Sequence, residues 1–213
     1  SSAGLGRASA TALAEAGANV VVNGRDDERL EATAEALRET ATGEVYPHVA
    51  DLTEPGDVRT LVEATVDEFG GLDHLVTNAG GPPSGPFLDT TAEDWQSSYD
   101  LLVRSAVELC RAGSEPLRAD GGGTIVAITS KSVKEPTDGL VLSNSVRSTV
   151  VGLAKTLSRE WAPEVRANVV MPGIHATDRM VDLTDAAVER GEYDSFEAGE
   201  RAWVEEVPLD RLG

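Results

Sequence analysis

"SSAGLGRASATALAEAGANVVVNGRDD" occupies residues 1–27, and the fold turns on how it is read. An alanine-rich helix over 7–16 is closed by Gly17 at a C-cap position. A β-branched strand, "NVVVNG", follows over 19–24, and the charged "RDD" ends the stretch. Gly4 and Gly6 fall in the opening turn of the helix. Glycines there let the backbone approach a pyrophosphate, and the unpaired N–H groups of a helix N-terminus attract the anion. A glycine at a helix start is common, so this turn gains meaning from the strand after it, whose end lies where a nucleotide's ribose would lie. Ser2, Gly4, Leu5 and Gly6 are the candidate phosphate-turn residues.

Working outward, short apolar runs alternate with amphipathic helices almost to the end. "EVYPHVAD" (44–51) is a weaker strand, while "HLVTNAG" (74–80), "GTIVAITS" (123–130) and "RANVVMPG" (166–173) are stronger. Such runs are continuous rather than alternating, as suits a parallel sheet buried on both faces. Val58, Leu61, Val62, Thr65, Val66 and Phe69 follow a helical period. Helices are expected over 27–40, 95–112 and 143–161, with "GGPPSGP" (80–86) as a stiff loop. Strands alternating with helices imply right-handed βαβ units, hence an α/β fold with a Rossmann-like, doubly wound parallel sheet. Residues 1–213 are read as one dinucleotide-binding domain. The acidic helical segment 174–207 is read as a substrate lid within it.

The charge balance bounds the partners. Asp and Glu number 37 against 18 Lys and Arg, a formal net charge of −19, and only Lys131, Lys134 and Lys155 are lysines. Arginine is kept where lysine is lost, a composition that resembles proteins of salt-loving archaea. Self-repulsion on such a surface is relieved when salt screens it. Nucleic acid and anionic membranes are poor partners for it. No stretch approaches the roughly 20 apolar residues of a membrane span, and the first residues carry no basic region ahead of an apolar run. The single cysteine, Cys110, precludes an internal disulfide and fits a reducing, cytoplasmic setting.

With these pieces the chain resembles the short-chain dehydrogenase/reductase family over nearly its whole length. Gly4 and Gly6 match two glycines of that family's phosphate turn; the third glycine, and the strand ahead of it, would fall before residue 1. "VPLDRLG" (207–213) looks like the segment ahead of the family's last helix and strand. Asp51 and Leu52 resemble the family's adenine-contacting pair. "TNAGG" (77–81) resembles its Asn-Ala-Gly motif, which places Asn78, Ala79 and Gly80 along the cofactor. "MPGIHAT" (171–177) resembles its Pro-Gly turn, which places Pro172, Gly173 and Ile174 beside the nicotinamide. At the end of the second strand, Arg25 favours the 2′-phosphate of NADP(H), since an acidic residue there would reject it. Asp26 and Asp27 could instead contact ribose, and Arg25 could be a solvated charge.

The family's chemistry uses a serine, a tyrosine, a lysine four residues further on and an asparagine on the preceding long helix. Ser130 matches the serine. Thirteen residues on comes Ser143 rather than tyrosine, then Arg147 rather than lysine, and Leu102 takes the asparagine's place. The resemblance is thus to a divergent branch, similar to 3-oxoacyl-(acyl-carrier-protein) reductases without their standard tetrad. Ser130, Ser143 and Arg147 are the expected catalytic positions. A serine hydroxyl is a far weaker acid than tyrosine, and an arginine stays charged but can bond ribose hydroxyls or an oxyanion. His175, Lys131, Lys134 and Tyr193 are alternative proton sources. Ser143 could equally be a helix cap, and Arg147 a surface charge. The implied function is an NADP(H)-dependent oxidoreductase acting on a small carbonyl or alcohol. The alternative is a dinucleotide-binding module without turnover. The resemblance also implies a homo-oligomer packed through the two long helices. "VVGLAKTL" (150–157) is apolar around much of its circumference. No metal ligand set is assigned.

Overall fold

Five parallel strands and eight α-helices alternate along the chain in the computed structural model, which describes residues 1–119 and 121–213. The order is α1 (Gly4–Glu15), β1 (Val20–Gly24), α2 (Asp27–Arg38), β2 (Val45–Val49), α3 (Pro55–Phe69), β3 (His74–Thr77), α4 (Ala92–Tyr99), α5 (Ser105–Ala112), β4 (Gly123–Ile128), α6 (Val141–Glu160), β5 (Val165–Val170), α7 (Asp178–Glu189) and α8 (Phe196–Glu205). All pairings are parallel, as the continuous apolar runs predict. The strands form two pieces, β1–β2 and β3–β4–β5, and no ladder joins them among the described residues.

Each piece carries its own packing. Val22, Leu30 and Ala34 are fully buried between α1, β1 and α2. Val58, Leu61 and Val62 of α3 pack with Leu75, Leu109, Ile125 and Val165. Cys110 lies in this second core, and burial pushes its thiol up to about 11. It is an inert core residue.

Helix bounds differ from expectation: α1 starts at Gly4 rather than residue 7 and ends at Glu15, α2 ends at Arg38 rather than residue 40, and two later helices differ at their starts. The one expected over 95–112 starts earlier, at Ala92, because Thr91 and Asp94 form a reciprocal capping box. It is also interrupted by a π-helical turn, Asp100–Arg104, which inserts a residue between α4 and α5. The helix expected from residue 143 begins at Val141, capped by the Leu140 backbone without a side-chain bond. Ser143 is therefore inside the first turn and is not the cap. The exposed stripe of α6 carries Gly152, Lys155 and Thr156, so the apolar residues of 150–157 face inward. Among the described residues, no helix is long and apolar enough to cross a membrane.

Candidate active site

The strand ends converge on one cleft of about 580 Å³. Ser2, Gly4 and Leu5 line one stretch of it, Arg25, Asp51 and Leu52 another, and residues 78–80, Ser130, Ser143, Arg147 and residues 172–174 the rest. Of the sequence-predicted site residues only Gly6 is absent from the wall. It is buried behind it, where an added Cβ would come within 2.9 Å of Asn78 Nδ2, so glycine at position 6 serves a close approach of α1 to the β3 end. Gly4 takes φ +52°, a left-handed value that favours glycine. The walls at Gly80 and Gly173 are open, with nothing within 4 Å of an added Cβ. The volume falls in the range of ligand clefts, and the open glycine walls and the turn at residues 2–5, half-buried except for the exposed Gly4, fit an extended dinucleotide.

At the β1 end, Arg25 is exposed on the cleft and makes no ion pair within 4.0 Å among the described residues. Asp26 is spent as the N-cap of α2, its carboxylate accepting from Arg29 N–H at 2.9 Å. Neither Asp26 nor Asp27 lines the cleft, so the alternative of ribose contacts from those carboxylates is not supported. Asp51 accepts from the Thr53 backbone N–H at 2.9 Å and the Thr53 hydroxyl at 2.8 Å. The Thr53 backbone bond is the main cause that lowers its pKa.

At the other end, Ser130 Oγ accepts from Ser132 N–H at 3.1 Å. Its own O–H proton remains to be donated. Ser143 is 8% exposed, and its hydroxyl accepts from Arg147 Nε at 3.2 Å. The register expected for these two residues, one turn apart on one helix face, is thus observed. Arg147 Nη2 also donates to the Gly80 carbonyl at 2.9 Å. It is half-buried rather than a solvated surface charge. Desolvation, with the nearby Arg179 guanidinium adding repulsion, holds it down to about 10. Asn144, next to Ser143, clamps the preceding loop instead, donating to Thr137 O at 2.9 Å and accepting from Thr137 N.

The alternative proton sources separate. His175 and Lys131 line the cleft; Lys134 and Tyr193 do not. Lys131 Nζ is tied to Glu206 at 2.6 Å. His175 Nδ1 lies 3.2 Å from the Gly173 carbonyl. Leu102 sits in the π-helical turn, 4% exposed, beside a small second cavity that also touches Thr77, Asn78 and Arg147. An apolar side chain there provides no polar anchor.

Sequence reasoning missed Arg179. It sits on the first turn of α7 and its Nη2 donates to the Pro82 carbonyl. An added Cβ on Gly81 would fall 2.2 Å from Arg179 Nε. Arg190, next after α7, reaches Ser84 Oγ at 3.1 Å. The 80–86 loop is therefore stitched by three arginines from later in the chain. Arg29 of α2 and Asp178 of α7 also pair at 2.9 Å. The only sequence signal for Arg179 was its place shortly after the Pro-Gly turn.

A parallel α/β sheet with its cleft at the strand ends, entered by a glycine turn at the start of α1, defines a Rossmann-type domain. Residues 1–187 match the family model described as short chain dehydrogenase, and the protein belongs to that family of oxidoreductases. Human dehydrogenase/reductase SDR family member 4 is 34% identical over 176 residues, 82% of this chain and 63% of the relative. The chain thus spans less than two thirds of that relative's length. A 3-oxoacyl-[acyl-carrier-protein] reductase of Synechocystis sp. is 32% identical over 183 residues, covering 85% of this chain and 74% of the relative. Among solved structures, L-sorbose reductase from Gluconobacter frateurii, complexed with NADPH and L-sorbose, superposes with TM-score 0.90 at 28% identity, covering 100% of this chain and 81% of that one.

Proposed function

We propose that the protein is an NADP(H)-dependent oxidoreductase interconverting a carbonyl and an alcohol, with proton donation that does not use the residue at the tyrosine position. The observation that carries this is the sharing of one cleft by the glycine turn, the Ser130 hydroxyl and the Arg147 guanidinium. NADP(H) rather than NAD(H) is favoured by Arg25, an unpaired cation on the cleft, while the neighbouring Asp26 is committed to capping. The similar L-sorbose reductase carries NADPH.

Residues 2–5 would hold the pyrophosphate, Arg25 the 2′-phosphate, Asp51 and Leu52 the adenine side, and residues 78–80 and 172–174 the nicotinamide half. When bound, the cofactor supplies or accepts a hydride. Ser130 donates its O–H to the substrate oxygen, since its lone pair already accepts from Ser132 N–H. Arg147 has unspent N–H groups for the nicotinamide ribose or the charge developing on that oxygen. Ser143 accepts from Arg147 and keeps the guanidinium in place. Its hydroxyl is too weak an acid to protonate an alkoxide at neutral pH. His175 supplies the proton as the imidazolium: Nδ1–H stays on the Gly173 carbonyl, and Nε2–H passes its proton to the substrate oxygen, leaving the neutral ring. Residues 174–207 act as the lid, since Arg179, Met180, Leu183 and Trp203 all border the cleft.

The test is a panel of carbonyls with NADPH and of alcohols with NADP, in molar salt, followed by nicotinamide absorbance. Turnover is expected, with Ser130→Ala lowering kcat/KM about 10- to 100-fold, the loss of one donor in the transition state. Ser143→Ala is expected to retain most turnover. A Ser143→Ala enzyme that binds NADPH but has lost turnover would show the serine doing the tyrosine's work. NADPH binding with no turnover across the panel would favour the cofactor-binding module, a reading that Leu102 and Ser143 at tetrad positions support.

A further inference from the structure

We propose that the substrate end of the cleft is an oxyanion site in which the Arg147 and Arg179 guanidinium groups hold a substrate carboxylate, so that the carbonyl substrate is an oxo acid. The proposal rests on the oxidoreductase reading above and adds the substrate class. The two arginines come from different elements, α6 and α7, and reach the same three-residue stretch of loop. Arg147 bonds the carbonyl of Gly80 and Arg179 that of Pro82, with Gly81 between them leaving room for the Arg179 guanidinium. Both border the cleft.

Among the described residues neither guanidinium has a carboxylate within 4.0 Å. The chain has 37 acidic residues against 18 basic ones, yet the five ion pairs among the described residues involve neither arginine. Burial depresses both guanidinium pKa values, and for Arg147 the charge of Arg179 adds to it. Asp182, one turn beyond Arg179, acts on it only at longer range. Two like charges taken partly out of water with no carboxylate in direct contact are costly, and Asp182 offsets this only for Arg179 and only from beyond 4.0 Å. Loop carbonyls satisfy some of their N–H groups and neutralise none of their charge. Among the described residues at least one terminal nitrogen of each guanidinium, Nη1, makes no bond. A planar carboxylate matches such a fork with two oxygens. A third donor is also unspent: Trp203, on α8, borders the same cleft, and its buried indole N–H has no acceptor among the described residues. The phosphates of a dinucleotide have their own place at the glycine turn, on residues 2–5, whereas Arg147 lies with Ser143 and the 78–80 strand end.

The test pairs 3-oxobutanoate with its methyl ester, as substrates of the NADPH complex at fixed ionic strength. The acid is expected to be preferred in kcat/KM, and Arg179→Ala to lower the acid-to-ester ratio at least tenfold, with partial recovery in Arg179→Lys. A mere stitch of the 80–86 loop would lower stability and both rates while leaving the ratio in place, and that result overturns the proposal. So does a wild-type enzyme that prefers the ester. A second readout needs no turnover: tryptophan fluorescence of the NADPH complex titrated with malonate, with inorganic phosphate and with NADPH itself. Malonate affinity is expected to fall at least tenfold in Arg179→Ala. Unchanged malonate affinity, tighter binding of phosphate than malonate, or a loss confined to NADPH would each overturn the carboxylate site. If no carbonyl is turned over, the oxidoreductase reading falls and the malonate titration alone decides the site.

Discussion

Replacing Arg147 by methionine sets two opposed effects of similar size against each other. A guanidinium held down to about 10 is destabilised in its charged form by about 3 kcal/mol relative to a free arginine, taking 1.36 kcal/mol per pKa unit. Because the folded-state value is the lower one, the penalty is present in full at every pH below about 10 and fades as the pH rises from there towards the range of a free guanidinium. Against it stand the bonds to Gly80 O at 2.9 Å and Ser143 Oγ at 3.2 Å. Hydrogen bonds from a charged donor contribute about 1.5–3 kcal/mol each when broken. Gly80 is exposed, so its carbonyl can turn to water, and the main loss is the buried Ser143 hydroxyl left without its partner. Arg147→Met is therefore expected to change stability by less than about 2 kcal/mol in either direction, or roughly 5 °C in Tm for a chain of this size. NADPH or substrate binding should weaken by about tenfold, one charge-assisted contact. The assay is thermal unfolding at pH 7 beside a fluorescence titration with NADPH. A fall in Tm of 10 °C or more would refute the reasoning, because that is the cost of breaking a buried charge that had been paired. It would make Arg147 a structural residue.

Arg25→Ala should weaken NADPH by about 1–3 kcal/mol and leave NADH nearly untouched; equal losses for both would remove Arg25 from the 2′-phosphate. The net charge of −19 leads us to expect an unfolding midpoint that rises between low and molar salt as screening relieves repulsion, and a flat response would end the halophilic reading. Light scattering in molar salt should give at least twice the 22.4 kDa of this chain, from pairing through α4–α5 and α6; a monomer would show that the small and polar stripe at Gly152, Lys155 and Thr156 faces water.

What the sequence shows of the fold is what depends on local periodicity. β1 to β4 lie within expected apolar runs and β5 starts one residue ahead of its run, at Val165, while Gly17 sits at φ +95° just beyond the end of α1 as a helix stop requires. The cleft wall was legible for the same reason: in a parallel α/β sheet the ends of the strands meet, so motifs at strand ends meet too. Boundaries went wrong where a side chain decided them. The Thr91 and Asp94 capping box moved one helix start forward, and Asn144, clamping Thr137, left Ser143 inside the helix. The π-helical turn at 100–104 was invisible, because an inserted residue shifts the apolar phase by less than the spread of an amphipathic face. Arg179 was invisible for a different reason. Its partners are carbonyls of a loop far away in sequence, and backbone acceptors carry no residue signature.

Gly81 has a consequence for how this family's sequences can vary. Its φ does not lie in the left-handed range, so its backbone does not demand glycine. What excludes a side chain is the tip of Arg179, 2.2 Å from where a Cβ would stand. That tip is the mobile end of a long chain, so alanine at position 81 would evict the guanidinium rather than unfold the loop. The two positions are thus drifting parameters of a single choice. In homologues, a Cβ at the position of Gly81 should go with loss of arginine at that of Arg179, and retention of the arginine with retention of the glycine.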